Sequence, residues 1–292
     1  MSRPRTALAL LALLVLAGCS APGSVSFDRA DDVQLADHAT RDLPPTDAPE
    51  IGEPLHAAVE NDSGTVTDAR RVPFDTSVPV THDGTVYELN DTVVDERTVP
   101  RFDVIVDYNP SELPAETVAF ENLSARDREA LSGLLTPGDR EYDEGPDVQR
   151  TAVYESPSAS TLAGTETAVS YRGETYLVEA RRDGSATLRD YRYTATRIAS
   201  VEAYGAALRE SHEFVLDDVP TDQQSILRAA RNGTYYAEGG DDEPFAAVVE
   251  RFRAHEAVTE DDYAGEWIVR WRGETYWASL RYPDYSEEPT AR

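Results

Sequence analysis

Alternating apolar and polar residues around a glycine recur at three places in the chain. The stretches are HDGTVYELND (82–91), YRGETYLVEA (171–180) and WRGETYWASL (271–280). A period of two on both sides of a short glycine turn is typical of a β-hairpin. The sequence therefore predicts three hairpins, and the last two are near copies of each other.

Helical periodicity precedes these hairpins. Proline, which suits the first position of a helix, stands upstream of each hairpin at Pro54, Pro146 and Pro244. The segment after Pro244 carries an apolar stripe at i, i+3, i+4 and i+7, formed by Phe245, Val248, Val249 and Phe252. We expect a helix at each proline.

Two further helices are predicted at 123–135 and 219–231. Both segments open with the pattern of a capping box, and the paired residues are Ser124 with Asp127 and Thr221 with Gln224. Strands are predicted before them, at 101–108 and 189–198. The chain thus indicates an α+β fold built from two tandem, similar sheet-plus-helix units.

We place the first unit at 51–180, including an N-terminal half-unit with the first hairpin, and the second at 181–285. The last residues, 286–292, are expected to fray. The repeat is close to a hundred residues long, whereas solenoid repeats run about 20–50 residues. Duplication of a small module therefore explains the pattern better than a solenoid does.

The first residues have the layout of an export signal. Arg3 and Arg5 precede an unbroken apolar run from Ala7 to Ala17, which is shorter than the about 20 residues of a membrane span. The run ends in Leu16-Ala17-Gly18-Cys19, which resembles the lipobox of exported lipoproteins. The resemblance implies cleavage between Gly18 and Cys19, a signal peptide at 1–18 and a lipid on Cys19.

Two other interpretations of this segment stay open: an ordinary secretory signal with an incidental cysteine, and an uncleaved membrane helix. Cys19 is the only cysteine, so its lipidation leaves no thiol for a disulfide or a zinc site. The lipid would make the membrane the first partner and the outer face of the cytoplasmic membrane the location.

Residues 19–50 are rich in Pro, Asp, Ser and Ala, with only scattered apolar residues. Such a segment buries too little surface to offset the entropy of ordering. We predict a disordered tether there, and about 30 flexible residues span on the order of 30 Å.

The charge of the chain limits the functions and the salt environment that it suits. The chain has 27 basic and 55 acidic residues, a formal net charge of −28, and all of its basic side chains other than histidine are arginine. This pattern excludes a P-loop lysine or a lysine Schiff base and disfavours a nucleic-acid partner. The acidic, lysine-free composition favours adaptation to molar salt, in which the self-repulsion of the chain is screened. The alternative is an acidic mesophilic protein with AT-poor codon usage.

Together, the lipobox, the lysine-free acidic composition and the duplicated RGETY hairpins resemble predicted lipoproteins of halophilic archaea. The resemblance covers most of the chain after Cys19. It implies the location and the fold class, and it transfers no catalytic residue.

Asparagine stands in N-x-S/T sequons at four of its five positions, and we take these as glycosylation candidates: Asn61, Asn90, Asn122 and Asn232. Asn122 is the weakest of them because it adjoins a predicted helix cap. The alternative is that these sequons are accidental and stay unmodified.

Other candidate chemistry is sparse. The five histidines (His38, His56, His82, His212 and His255) lack the close pair spacing of a metal motif, and we expect them at the surface or at core edges. The acidic runs 217–218, 241–243 and 260–262 do not match a calcium loop. We expect no cofactor, no metal and no catalytic residue.

Aromatic residues crowd the last hairpin, where Trp267, Trp271 and Trp277 are candidate binding aromatics. They would either stack on a glycan or pack in the core, and core packing is the favoured interpretation. Alternation along a strand places Trp267 and Trp271 together on one face, and it places Tyr276 and Leu280 on the face opposite Trp277.

The sequence thus favours a surface lipoprotein with a non-enzymatic ectodomain that binds an envelope protein or glycan, or that has an envelope-structural role. An exported hydrolase and the solute-binding lipoprotein of a transporter are the alternatives.

Overall fold

The structure, a computed structural model, describes residues 22–108, 110–135, 148–154 and 160–285. The described residues form a mixed α+β fold of six α-helices and two β-sheets. The helices are α1 (Asp32–Ala39), α2 (Gly52–Glu60), α3 (Ala125–Leu131), α4 (Val201–His212), α5 (Thr221–Arg231) and α6 (Glu243–Arg253).

Fourteen strands are present in the same residues. In chain order they are β1 (Ser24–Arg29), β2 (Arg41–Asp42), β3 (Gly64–Ala69), β4 (Val80–His82), β5 (Thr85–Asp107), β6 (Thr117–Ala119), β7 (Val148–Val153), β8 (Glu166–Tyr171), β9 (Glu174–Ser200), β10 (Phe214–Val215), β11 (Thr234–Tyr236), β12 (Thr259–Glu260), β13 (Ala264–Trp271) and β14 (Glu274–Arg281).

The chain divides into two compact units, and the division differs from the predicted one. Unit 1 comprises the residues up to Leu43, the segment Ser77–Glu88 and the residues from Thr196 onward, and unit 2 comprises Pro44–Thr76 and Leu89–Ala195. The predicted boundary between 180 and 181 falls inside β9, which contributes residues to both units, as β5 does. Hydrophobic patterns mark elements but do not say which distant elements pack together.

Unit 1 is organised around one sheet with the strand order β10-β13-β14-β1-β11, in which β12 pairs with β13. Alternation along β13 sends Trp267 and Trp271 into the main core, together with α5 and α6. Ile268 and Trp277 point to the opposite face, where they pack with Leu35 of α1 and Leu208 of α4. The sheet is therefore covered by helices on both faces.

The predicted apolar stripe of α6 is confirmed: Phe245, Val248, Val249 and Phe252 are all buried. Its start is fixed by Asp242, whose side chain accepts a hydrogen bond from the Phe245 N–H at 3.0 Å. Such an N-cap satisfies one of the free amides of the first helical turn.

Unit 2 contains the rest of β5, which pairs with β7 and β9, and β9 also pairs with β8 and β3. Its core is formed by β5, β7, β8, β9 and α3, with Val104, Leu131 and Val178 fully buried. Helix α3 begins at the predicted Ser124 cap, which accepts from the Asp127 N–H at 3.1 Å.

All three predicted hairpins are confirmed, and they have the same turn. The two central residues of each have positive φ: Asp83 (47°) and Gly84 (70°), Arg172 (50°) and Gly173 (89°), and Arg272 (54°) and Gly273 (83°). Positive φ at both positions defines the type I′ turn, which matches the twist of paired strands. Glycine at the second position makes that conformation easy to adopt.

The prediction of a disordered tether at 19–50 is wrong for the described part of that segment. Strand β1 lies between β14 and β11, with Val25 and Phe27 buried, and helix α1 follows it with Leu35 buried. The burial of the few apolar residues in this segment could not be read from the local pattern, because they pack against β14, whose residues lie far away in the sequence. Cys19, Gly18 and the predicted signal peptide 1–18 lie outside the described residues, as does the tail 286–292.

Two helix predictions also need correction. The segment after Pro146 forms strand β7, paired antiparallel with β5, because a strand partner overrides weak helical spacing. Helix α5 begins at Thr221 itself, so no Thr221 cap forms, and the Gln224 side-chain amide instead donates to the Val219 carbonyl oxygen at 2.8 Å.

Helices α1 and α4 pack so closely that a side chain would not fit at Gly205 of α4. A Cβ there would lie 1.6 Å from the Asp32 carbonyl oxygen. Helix propensity alone favours Gly205→Ala by about 1 kcal/mol, but the clash forces α1 and α4 apart. We expect Gly205→Ala to lower the free energy of unfolding by about 1–3 kcal/mol in chemical denaturation.

The control for this substitution is Ala207→Gly on the exposed side of the same helix, which is expected to cost about 1 kcal/mol through propensity alone. A Gly205→Ala variant as stable as the parent chain would contradict the close packing of the two helices.

Candidate functional site

An open cleft of about 650 Å³ lies in unit 1, where helices α5 and α6 begin. We call it the acidic cleft because five carboxylate residues line it. Its lining comprises Asp222, Ser225, Ile226, Tyr235, Glu238, Gly239, Asp241, Asp242, Glu243 and Pro244. The predicted acidic run 241–243 therefore forms part of this cleft.

Local structure explains where most of these carboxylates stand. Helices α5 and α6 both begin at the cleft, and Asp222 and Glu243 lie in their first turns. Negative side chains are favourable there because the helix dipole is positive at its N-terminus. Asp242 is the N-cap of α6, so much of the acidity is explained by helix capping.

Tyr235 of β11 forms a hydrogen bond with the residue that caps α6. Its hydroxyl donates to Asp242 Oδ2 at 2.7 Å. Burial is the main cause that raises the pKa of Tyr235, and the Asp242 carboxylate raises it further because a phenolate beside it would be repelled. The tyrosine therefore stays a neutral hydrogen-bond donor at physiological pH.

The chemistry that the acidic cleft offers is electrostatic. Its carboxylates attract cations and accept hydrogen bonds. The hydroxyl of Ser225, which also lines it, donates to the Asp222 carbonyl oxygen at 2.5 Å. No histidine is among the lining residues. The Ser225 hydroxyl thus donates to the backbone and not to a side-chain base.

A second group of polar residues lies in unit 2, around Asp127 of α3. The Asp127 side chain is completely buried. It accepts a hydrogen bond from the Ser160 hydroxyl at 2.6 Å and another from the Thr161 N–H at 2.9 Å. Both carboxylate oxygens are thereby occupied.

Ser160 is equally constrained, because its Oγ accepts from the N–H groups of Leu162 at 3.0 Å and Ala163 at 3.1 Å. Burial raises the pKa of the nearby Tyr154 hydroxyl to about 12, and Asp127 adds to the rise while Ser160 opposes it. The arrangement fixes a chain segment to α3. We therefore assign it a structural role.

The sequence pattern predicts Asp127 only as part of a helix start, and it gives no signal for Ser160 or Tyr154. These residues lie 27–33 positions from Asp127 in the chain, and no motif links them. A strand end and a loop bring them together, so their grouping depends on the tertiary fold.

The three candidate tryptophans do not form a binding platform. Trp267, Trp271 and Trp277 are 0%, 3% and 1% exposed, so their faces are not available to a glycan. The prediction that Trp267 and Trp271 share a face, and that Tyr276 and Leu280 lie opposite Trp277, is confirmed. The Trp267 indole N–H donates to the His255 carbonyl oxygen at 3.2 Å, which satisfies its one polar group.

Two histidines lie at core edges, as expected. His38 stacks on Trp277 with ring centroids 4.9 Å apart, and His255 stacks on Phe214 at 3.9 Å. His38 falls in the segment predicted as a tether, whereas it lies in α1. In unit 2, His56 contacts the Pro44 carbonyl oxygen through Nε2 at 3.0 Å.

The four candidate glycosylation sites are all exposed: Asn61, Asn90, Asn122 and Asn232. They stand at the end of α2, on β5, in a 3₁₀ turn and at the end of α5. The Asn122 sequon differs from the others because its Ser124 hydroxyl serves as the N-cap of α3.

The helices in the part of the chain that the structure describes are all too short or too polar to cross a bilayer. Comparison with known proteins adds no relative, because no family model, no curated protein and no solved structure matches the chain.

We expect Asp127→Ala to lower the free energy of unfolding by roughly 2–4 kcal/mol, because the Ser160 hydroxyl and the Thr161 amide would lose their buried acceptor. The measurement is chemical denaturation at constant salt concentration.

The matched control is Glu129→Ala on the same helix, an exposed residue paired with Arg126 at 2.8 Å. Its loss should change stability by less than about 1 kcal/mol. Equal effects of the two substitutions would contradict the role assigned to Asp127.

Proposed function

We propose that this protein is a lipid-anchored surface lipoprotein with a non-enzymatic ectodomain. Cys19 carries the lipid and holds the folded chain at the outer face of the cytoplasmic membrane. The observation that carries the proposal is the sequence Leu16-Ala17-Gly18-Cys19, which stands shortly before the first folded strand at Ser24. The role is the binding of an envelope protein or glycan, or the support of envelope structure.

Anchoring through Cys19 is physically sufficient for such a protein. Each methylene buried in the bilayer contributes about 0.8 kcal/mol, and two acyl chains hold a protein stably where one gives only marginal binding. A lipid anchor suits the described fold, whose apolar side chains are mostly used in its own core.

Exposed sequons support an extracellular position. The side chains of Asn61, Asn90 and Asn232 are solvent-exposed, so a glycan would meet no steric obstacle there. We propose these three as the glycosylated positions. Asn122 is a poorer acceptor because the hydroxyl of its sequon already caps α3.

The charge supports a halophilic setting. A net charge of −28 creates self-repulsion that molar salt screens, since the Debye length falls to about 3 Å at 1 M. Arginine supplies the cations of the ion pairs across unit 2, such as Arg189 with Glu96 at 2.7 Å and Arg101 with Asp183 at 2.7 Å.

Mass spectrometry of the membrane fraction of the native host tests the anchor. We expect the N-terminal peptide to begin at Cys19 and to carry the added mass of a lipid. The Cys19→Ser variant is the control, and it should lose the lipid and leave the membrane fraction. Recovery of an intact, unmodified peptide that covers residues 14–24 would rule out the anchor.

Salt dependence tests the halophilic setting. We expect the chain to lose its ordered structure below about 1 M salt, because unscreened carboxylates repel one another. Circular dichroism during thermal unfolding at increasing potassium chloride concentration measures this. A melting temperature that is the same in dilute buffer and in molar salt would contradict the expectation.

A further inference from the structure

The place where the chain enters unit 1 lies close to the proposed anchor. Pro22 is the first described residue, three positions after Cys19. A chain extends at most ~3.6 Å per residue, so the Cα atoms of Cys19 and Pro22 are separated by no more than roughly 11 Å. The lipid attachment point therefore stays near the end of the sheet where β1 begins.

The direction of the chain at this entry is fixed by packing. The Gly23 carbonyl oxygen accepts a hydrogen bond from the Ala237 N–H at 2.9 Å. A Cβ on Gly23 would lie 2.2 Å from a ring carbon of Phe245, so the backbone passes directly over that ring. The chain is thus held in the sheet from Gly23 onward.

The two most exposed large apolar side chains of the described residues stand at this same end of the sheet. They are Tyr236 and Tyr263, with 62% and 60% exposure. Ser24 pairs with Tyr236 on one side and with Arg281 on the other. Tyr263 adjoins the same row, because the Tyr282 N–H donates to its carbonyl oxygen at 2.7 Å.

Strands β11, β1, β14 and β13 cross this end in that order. With about 4.8 Å between neighbouring strands, the row is roughly 15 Å wide. We call Tyr236, Ser24, Arg281 and Tyr263 the tyrosine end. Tyrosine is enriched where proteins meet the membrane interface, since its ring is apolar and its hydroxyl remains hydrated.

We propose that the tyrosine end rests in the head-group layer of the membrane to which Cys19 is anchored. This inference rests on the proposed lipid anchor and adds an orientation to it. The anchor brings this end of unit 1 to the bilayer, and the two phenol rings supply the contact. The short distance to Cys19 and the two exposed rings are independent observations that point to the same lipid surface.

Charge gives the contact an unusual salt dependence. Exposed carboxylates flank the tyrosine end, among them Glu238, Asp241, Asp261 and Asp262, whereas Arg281 is the cation in the row. Anionic lipids therefore repel this end in dilute buffer. Raising the salt from 0.1 M to 1 M shortens the Debye length from about 10 Å to about 3 Å, so salt strengthens the contact instead of weakening it.

The experiment uses the chain from Cys19 onward, which keeps every described residue. Its only thiol is coupled to maleimide lipids in vesicles of equal parts phosphatidylcholine and phosphatidylglycerol, in about 2 M potassium chloride, where charges are strongly screened. The reference is the same chain capped with a soluble maleimide. Hydrogen–deuterium exchange of the backbone amides is compared between the two.

We expect exchange at residues 234–238 and 261–265 to slow by about threefold or more on the vesicles, because membrane contact restricts local opening. The hairpin turn at 271–274 lies at the far end of β13 and β14 and should exchange equally in both samples. The double variant Tyr236→Ser with Tyr263→Ser should lose the protection, whereas Val215→Ser, which removes another exposed apolar side chain of unit 1, should keep it.

Equal exchange at 234–238 and 261–265 in both samples would overturn the orientation, and so would protection at 271–274 instead. The chemical coupling replaces the natural lipid, so this result does not depend on how Cys19 is modified in the cell. An unlipidated Cys19 in the native membrane fraction would overturn the anchor, whichever way the vesicle experiment turned out.

Discussion

The fold depends on the insertion of β1 between β14 and β11. The N-terminal strand supplies the backbone partners for both neighbours, and without it the unit 1 sheet would be split into two parts. Val25 and Phe27 complete the core between the sheet and helices α5 and α6. The first folded residues are therefore joined to the last strand, and the proposed anchor precedes the end of the sheet at which β1 begins.

The insertion of β1 changes how the N-terminal segment would connect the folded chain to a lipid anchor. A long flexible tether would leave the ectodomain free to turn in any direction above the membrane. The described structure leaves at most a few residues between Cys19 and the sheet, so an anchor at Cys19 restricts which end of unit 1 can face the lipid. In our proposal the exposed rings of Tyr236 and Tyr263 complete that contact.

The carboxylate residues of this protein fall into two groups, which the structure distinguishes by their contacts. The first group has local roles: Asp242 caps α6, and the buried carboxylate of Asp127 holds the chain segment at Ser160 and Thr161. These carboxylates would be useful at any salt concentration. The remaining carboxylates are mostly exposed and add mainly to the net charge, which is the part that the halophilic interpretation explains. The acidic cleft combines both, since its walls are the starts of α5 and α6.

The sequence by itself determined the local elements. Its glycine turns predicted all three hairpins, its apolar stripe predicted α6, and the alternation along β13 placed Trp267 and Trp271 on the same face. It also supplied the lysine-free composition and the motif at Cys19, which carry the functional proposal. Such features depend on residues near one another in the chain, where the periods of strands and helices are directly readable.

Only the tertiary structure decided which distant segments of the chain pack together. The placement of β1 in the sheet, the conversion of the segment after Pro146 into β7, and the grouping of Asp127 with Ser160 and Tyr154 each join residues that are distant in sequence. Weak local patterns such as that of residues 24–29 acquire their structure from the strand they pair with, because the free energy comes from burial and backbone hydrogen bonds that the partner supplies. For that reason the compact units differ from the predicted tandem division, although most of the predicted elements formed.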